Sequence, residues 1–430
     1  MAPVNLIPKH SPALERADFA PYFRSRSRQA GAPNQGANHR LTSVWADLLP
    51  GKAVYGTPAG RHALWYFLEA ARIPKSGRVM VPAYNYYVVV RLLIQWGLTP
   101  AFVDVDPDTL TMDPADLDRA MTDDCVLVLV THMFGHAADM ASITRICARH
   151  AVPLFEDCAH GVGTRDDRGH IGNQGQGALF SFGPQKLMSC FGGGMLAAEP
   201  AAIGDYTPAP HPRGGPVVES STFLKLLLTA AMSHDTYRVL LYPATRIAVA
   251  LAKLGLTWPR DLIAPSKDDG SFVFKLNSRP AFKGFMTEMC ALQLDRLNEN
   301  VARRRAVIAE VKAAVGPTQH VRFLNEDKFG FHNGAYFGVH VQDKDLFARV
   351  MLTHGVEVNP YEFFDCSGLK QFAAFAAACP QARTVSDHIV RLPSYPTLDA
   401  RDRERIAAGM LAYCAAREKV EEGSPDVQPA

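Results

Sequence analysis

Eight cysteines are spread over the 430 residues, and no two of them stand as C-x-x-C. That pattern offers neither a zinc ribbon nor a disulfide framework. The thiols are expected to be buried and idle in a reducing compartment, and no metal is expected. The chain also lacks an excess of one charge: 45 Lys and Arg face 43 Asp and Glu, a formal net charge of +2. Without a concentrated basic stripe, a nucleic-acid partner is not expected. No run of eighteen uncharged apolar residues occurs, so no spanning helix is expected. The opening MAPVNLIPKHSPALERADF has no apolar core of a secretory signal, and a cytoplasmic protein is the expectation. No internal repeat is visible. G-x-G-x-x-G after a first strand is missing as well, which argues against a dinucleotide site.

What is present is a hydrophobic content of 47%, ample for a large core, over a length that implies two or more domains. Residues 1–48, with RSRSRQAGAPNQGANH in the middle, read as an arm or loop. From residue 60 the pattern alternates. Helices are expected over 60–73, 88–97, 113–121 (Asp113 as N-cap, Pro114 first) and 138–150. Strands are expected over 79–84, 99–106, 125–132, 152–157 and 178–183. Alternation of this kind predicts an α/β fold with a mostly parallel sheet covered by helices on both faces. In such sheets ligands bind at the carboxyl ends of the strands. Those ends deliver Thr131-His132, Asp157 and, through a turn, Lys186.

Residues 205–275 interrupt the alternation. The apolar stretch 223–256 reads as a buried helical insert or a dimer contact. The remainder predicts a smaller C-terminal α+β domain, with one long helix over 287–315, a strand at 339–341 and helices near 344–354 and 400–417. The expected division is an arm over 1–48, a large domain over 49–275 and a small domain over 276–430. EEGSPDVQPA at the end reads as disordered.

FSFGPQKLMSCFGGGML (180–196) places Lys186 in an apolar, glycine-ended segment. A buried lysine costs several kcal/mol unless a partner or a lowered pKa compensates. Lys186 is therefore either a turn residue pointing into water or a desolvated amine suited to forming a Schiff base. For Asp157, a helix cap and a functional carboxylate stand about even on these grounds.

Five segments resolve the choice: VPAYNYYVVVRLLIQWGLTPAFVDVDPDTLTMDP, THMFGHAADM, FEDCAHGVG, FSFGPQK and FGGGML, with RLPSYPTLDARDRERI near the C-terminus. Their order and spacing resemble the DegT/StrS family of sugar aminotransferases, pyridoxal-phosphate enzymes of the aspartate-aminotransferase fold (fold type I). The resemblance covers roughly residues 55–200 and 285–415. It implies Lys186 as the Schiff-base lysine and proton carrier, desolvated by Phe180, Phe182, Leu187 and Phe191. It implies Asp157 on the pyridine nitrogen and His160 near the ring's phenolic oxygen. Gly60 and Arg61 at a helix start, with Ser181, would bind the cofactor phosphate. Tyr86 would stack on the ring. Asn277 and Arg279 of KLNSRP would reach the phosphate from the neighbouring subunit of a homodimer.

The implied reaction takes an amino group from an amino acid, with glutamate the expected donor. It delivers that group to a keto-sugar, expected to be nucleotide-linked, in surface-polysaccharide or deoxyaminosugar biosynthesis. Two rivals stay open: a deoxysugar dehydratase of the same family, and a non-catalytic pyridoxal-phosphate sensor. The chain departs from the family pattern in VEVNPYEFFDCSG (356–368), where Pro360-Tyr361 replaces the usual histidine-tyrosine pair, and in the insert.

Overall fold

The computed structural model describes residues 7–9, 13–27, 35–190, 192–206, 273–276 and 282–422. The expected insert helix over 223–256, Phe191, Asn277 and Arg279 lie outside these residues. Helices α1 (Arg16–Ser27) and α2 (Gln35–Trp45) open the chain. There follow β1 (Ala53–Thr57), α3 (Gly60–Ala70), β2 (Arg78–Pro82), β3 (Tyr84–Asn85), α4 (Tyr87–Trp96) and β4 (Thr99–Val103). Next come α5 (Pro114–Ala120), β5 (Cys125–Thr131), α6 (Met140–His150), β6 (Leu154–Asp157), the hairpin β7 (Arg165–Asp166) and β8 (Gly169–His170), β9 (Gly177–Ser181), β10 (Gly194–Ala198) and α7 (Pro200–Ile203).

The main sheet runs β1-β10-β9-β6-β5-β2-β4. Its four junctions from β9 to β4 are parallel, and the two at the β1 edge are antiparallel. Buried Leu127, Val128, Leu129 and Val130 make β5 an apolar run, as a strand covered on both faces requires. Helix α4 is rich in β-branched residues yet helical: Val89, Val90, Leu92 and Leu93 are buried, and Gly97 closes it at φ 114°. Packing here outweighs intrinsic propensity. Asp113 caps α5 by accepting the Ala115 N–H at 2.8 Å, with Pro114 at the first helical position.

The connection after β2 leads to β4 on one side, and the one after β5 leads to β6 on the other. Such a reversal opens a crevice at the strands' carboxyl ends.

Beyond the insert come α8 (Gly284–Asp295), α9 (Leu297–Val315), β11 (Val321–Phe323), β12 (Phe337–Val341), α10 (Lys344–Thr353), β13 (Phe364–Asp365), α11 (Pro380–His388), β14 (Ile389–Leu392) and α12 (Ala400–Glu421). Strands β11, β12 and β14 form an antiparallel sheet. Its core includes Val339, Val341, Phe347 and Met410. Strand β13 leaves this region and pairs with β3, Phe364 opposite Asn85 and Asp365 opposite Tyr84. That pairing carries residues 362–365 to the crevice of the main sheet.

Two expectations change. Residues 16–27 and 35–45 are helical, where the sequence reads as an arm or loop. Tyr22 and Trp45 are buried, Tyr22 edge-on to Phe285 at 5.5 Å and Trp45 against Phe180 at 5.3 Å. Tertiary contacts thus supply what the local pattern does not advertise. The single helix over 287–315 is two, separated at Arg296, whose φ −104° and ψ 4° leave the helical region. Its guanidinium instead reaches Asp18 Oδ2 at 2.8 Å and Glu15 Oε1 at 3.2 Å. All eight cysteines are free and buried. Among the described residues no helix is long and apolar enough to cross a membrane.

Candidate functional site

Strand β6 ends in two acids with opposite surroundings, because successive side chains point to opposite faces. Glu156 is fully buried and accepts four hydrogen bonds: Gly172 N at 2.7 Å, Gln174 N at 2.8 Å, Gly175 N at 2.6 Å and His132 Nε2 at 3.0 Å. Burial alone would raise its pKa, but the His132 bond and the backbone N–H groups hold it below the ordinary value. Asp157 is buried too, and among the described residues its carboxylate accepts one hydrogen bond, from Ala159 N on Oδ1 at 2.9 Å. Burial pushes its pKa up, opposed by the Ala159 N–H and the nearby charge of Lys186. Asp157 therefore both caps a turn and has a carboxylate under-compensated for its burial.

Strand β9 runs beside β6 and ends at Ser181. The chain then turns, and Lys186 N–H donates to Gly183 O at 3.0 Å. The Phe182 carbonyl accepts from Cys190 N at 3.0 Å and Gly192 N at 3.2 Å, closing the loop on itself. Burial pulls the Lys186 amine down to about 8; Glu362 and Asp157 raise it in part and Arg391 lowers it. Phe180 and Phe182, expected beside this lysine, belong with Leu187 to the core around Trp45.

Helix α3 begins at Gly60 with Ala59 as N-cap, and no side chain caps it. Strand β10 presses against this end. A Cβ on Gly194 would lie 2.3 Å from Gly60 N, and a Cβ on Gly60 would lie 3.3 Å from Ser181 Cβ. Backbone N–H groups of a helix start and the Ser181 side chain thus share one small volume, with half-buried Arg61 next along the helix.

A wall of rings faces this floor. His160 Nδ1 accepts the Phe134 N–H at 3.2 Å, which leaves the ring proton on Nε2 when the imidazole is neutral. Burial, then the charges of Lys186 and Arg391, hold His160 well below its usual pKa, so the neutral form persists. Its ring lies 4.4 Å from Tyr336 and 5.3 Å from Phe363. Tyr86 is 42% exposed, 6.3 Å from the same Phe363, with its N–H held by Asn85 Oδ1 at 2.7 Å. Asn85 also donates to Thr131 Oγ1 at 3.2 Å, tying the ends of β3 and β5 together across the crevice.

Lys186, Asp157, Ser181, Gly60 and His160 thus sit at neighbouring strand and helix ends, with Arg61 and Tyr86 at the rim. Asn277 is not among the described residues; the adjoining Leu276 carbonyl lies 3.1 Å from His62 Nε2 on α3. Sequence reasoning did not single out Glu362, Arg391, Tyr336, Gln293 or Asn85. Arg391 lay within the quoted RLPSYP, where its charge amid apolar residues was a usable signal. Glu362 reaches the site only through the β13–β3 pairing, which nothing local announces. His132, Glu156 and Cys158 bring three potential donor atoms within 4.8 Å. The hydrogen bonds already made by Glu156 give that cluster a structural explanation.

The arrangement suits a phosphorylated pyridine aldehyde. A helix start with a serine could take the phosphate, an under-compensated carboxylate could face a protonated ring nitrogen, and a lowered-pKa amine could take the aldehyde.

Residues 30–208 and 266–411 match the sequence profile of the DegT/DnrJ/EryC1/StrS aminotransferase family. The "Pleiotropic regulatory protein" of Geobacillus stearothermophilus is 32% identical over 142 residues, 33% of this chain and 38% of that one. The L-glutamine:2-deoxy-scyllo-inosose aminotransferase of Micromonospora echinospora is 32% identical over 171 residues, 39% of this chain and 40% of that one. The chain thus spans about two fifths of the length of these curated relatives. DesI, solved in the presence of its TDP-sugar product, superposes with a TM-score of 0.72 at 20% identity, over 98% of this chain and 97% of that one. That likeness is one of fold.

Proposed function

The chain belongs to the DegT/DnrJ/EryC1/StrS aminotransferase family, and we propose that it moves an amino group from an amino acid of the glutamate–glutamine pair to a keto-sugar with the help of pyridoxal phosphate. The observation that carries this reading is the meeting of Lys186 and Asp157 from adjacent strand ends, above the Gly60–Ser181 cradle. Nucleotide linkage of the acceptor is the narrower part of the reading, supported by the TDP-sugar in the DesI structure. Assembly as a homodimer and a cytoplasmic location belong to the same proposal.

Bound pyridoxal phosphate supplies an electron sink for charge developing at the donor Cα. In our reading the helix α3 N–H groups and Ser181 hold its phosphate, with Arg61 as a second donor. Asp157 keeps a proton on the pyridine nitrogen. Lys186, with its amine half neutral near pH 8, takes the Cα proton and returns it on the other side of the transfer. His160 offers Nε2–H to the ring oxygen, and Tyr86 covers the ring face.

The test is the visible spectrum of the loaded protein with L-glutamate and L-glutamine. Transfer converts the cofactor band near ~420 nm to one near ~330 nm, approximate values for the cofactor itself. A loaded protein whose spectrum ignores every amino donor would be a sensor and would overturn the reading.

A further inference from the structure

Phe134 is buried, and its backbone stands at φ 58° and ψ 9°, in the left-handed region. A bulky residue rarely adopts that conformation, and keeps it only where its surroundings impose it. Two histidines from distant parts of the chain hold this residue. Its N–H donates to His160 Nδ1 at 3.2 Å, and its carbonyl lies 3.0 Å from His332 Nε2. His332 is buried, and its own tautomer is fixed. Nδ1 accepts the Gly334 N–H at 3.3 Å, so the neutral ring carries its proton on Nε2 and donates it to the Phe134 carbonyl.

His332 belongs to the loop between β11 and β12. Two backbone bonds bring that loop to the β7 hairpin: Phe331 N–H to Arg165 O at 2.7 Å, and Arg165 N–H to Phe331 O at 3.1 Å. The next residue, Asn333, is fully buried. Its Nδ2 donates to His160 O at 2.7 Å and Val162 O at 2.9 Å, and its Oδ1 accepts the Ala335 N–H at 2.9 Å. A Cβ on Gly135 would lie 2.4 Å from that oxygen, so the turn after Phe134 is pressed against Asn333. His136 packs its ring against His332 at 4.6 Å. One dipeptide of the small domain thus grips the Phe134 turn and the backbone of His160 together.

The consequence falls on the His160 ring. While the Phe134 N–H points at Nδ1, the neutral imidazole must carry its proton on Nε2. Were the left-handed turn to relax, that N–H would leave Nδ1, and the proton would be free to occupy either nitrogen. A ring oxygen bearing negative charge calls for a donor, and Nε2 is a donor only in the first of these forms.

We propose that His332 is a positioning residue for His160: through the left-handed Phe134 backbone it keeps the His160 ring proton on Nε2, available to the cofactor's ring oxygen, while Asn333 fixes the His160 backbone. The inference rests on the cofactor placement proposed above and adds to it a small-domain side chain that acts through the backbone of another residue.

The ring proton can be read without turnover. Long-range proton–nitrogen correlation spectra of the loaded protein, carrying nitrogen-labelled histidine, separate the two neutral tautomers; the pattern lost in His160→Gln is that of His160. In the wild type its two ring nitrogens should stand far apart, with the proton on Nε2, as one fixed tautomer requires. His332→Leu removes the donor to Phe134, and the two nitrogen signals should draw together as both tautomers populate. His332→Asn keeps a polar side chain too short to reach the carbonyl and should do the same, which covers the case of a leucine variant that fails to fold. His332→Gln places an amide N–H where Nε2–H stands and should restore the wild-type pattern. A packing role alone would leave the His160 signals unmoved. A wild-type His160 protonated on Nδ1, or a pattern unchanged in both His332→Leu and His332→Asn, would overturn the proposal. The second result would mean that the stacking of the Phe134 ring on Tyr336 holds the turn by itself.

The outcomes separate this role from the reaction. A His332-dependent tautomer in a protein that no amino donor bleaches upholds the positioning role and removes the transfer reaction. Donor-driven bleaching with His160 indifferent to His332 does the reverse.

Discussion

Gln293 engages both backbone groups of one residue: its Oε1 accepts the Ser189 N–H at 2.9 Å, and its Nε2 donates to the Ser189 carbonyl at 3.0 Å. Ser189 lies three residues beyond Lys186, so an α8 side chain fixes the loop that presents the amine. Gln293→Leu keeps the volume and removes both bonds, together with the one that Nε2 donates to the Met289 carbonyl at 3.1 Å. Two buried backbone groups would lose these hydrogen bonds, at a cost of about 2 kcal/mol or more. Urea unfolding should show that loss. The variant should also release pyridoxal phosphate faster on dilution, a change that packing alone would not produce.

Lys186 has its amine pulled down to about 8 by burial. Capture of pyridoxal phosphate by the unloaded protein needs the neutral amine. The rate should therefore rise with pH and reach half its limit near 8, rather than near the 10.5 of an ordinary lysine. Glu362→Gln removes a negative neighbour and should move the midpoint down; Arg391→Gln removes a positive one and should move it up. Lys186→Ala should stay folded by circular dichroism, show no ~420 nm band, and give no lysine adduct after borohydride trapping, the wavelength being that of the cofactor.

Asp157 is an acid whose burial raises its pKa, against the opposing Ala159 N–H and the charge of Lys186. A cationic ring nitrogen beside it would reverse that direction by favouring the charged form. Asp157→Asn keeps the shape and loses the charge. Cofactor binding should persist, while the donor half-reaction slows by about a hundredfold or more, the scale of losing one preorganised electrostatic contact. Stopped-flow absorbance with L-glutamine measures it; a rate within a fewfold of wild type would remove Asp157 from its role.

Much of this site was legible because short motifs sit at strand ends, where a parallel sheet gathers them. FEDCAHGVG and FSFGPQK each supply a strand and the residue just past it, and β6 and β9 are neighbours. Two things were not legible. The strand pattern alone did not say which of two adjacent acids faces the site: Asp157 came from the resemblance, and Glu156 and Asp157 differ only in what lies on either side of β6. Contacts from a distant part of the chain were also hidden: Glu362 arrives by the β13–β3 pairing, and Gln293 by the break at Arg296 that sets α8 apart from α9. Helices α1 and α2 escaped the reading because their anchors, Tyr22 and Trp45, find partners more than a hundred residues away.

Glu156 should carry a measurable share of stability with a definite pH sign. Its folded pKa lies below its value in the unfolded chain. The stabilisation is therefore fully present above the unfolded value, near 4.5, and is lost as pH falls through the lower folded one. Glu156→Gln would turn an amide N–H₂ toward donors that now meet a carboxylate, and would leave His132 without its acid. The cost should be about 3 kcal/mol or more at neutral pH. The variant's stability should also decline less between neutral pH and acid than the wild type's. Urea titrations at several pH values measure both.

Gly194 lies between two strands, opposite Thr57 on β1 and Ser181 on β9. A Cβ there would lie 2.3 Å from Gly60 N, 2.5 Å from Ala59 C and 2.8 Å from Gly60 Cα. These are backbone atoms, so no rotamer change can relieve the contact. The helix start must move away from β10, and with it the N–H groups that lie beside Ser181. Gly194→Ala should thus weaken phosphate binding before it weakens the fold, because the sheet register on either side can persist while α3 shifts. Pyridoxal phosphate affinity, followed by absorbance, should drop by about tenfold or more, the loss of one charge-assisted contact. Pyridoxal without its phosphate should bind the variant and the wild type alike. Equal losses for both forms would mean that Gly194 shapes the ring pocket, and that the phosphate does not sit at the start of α3.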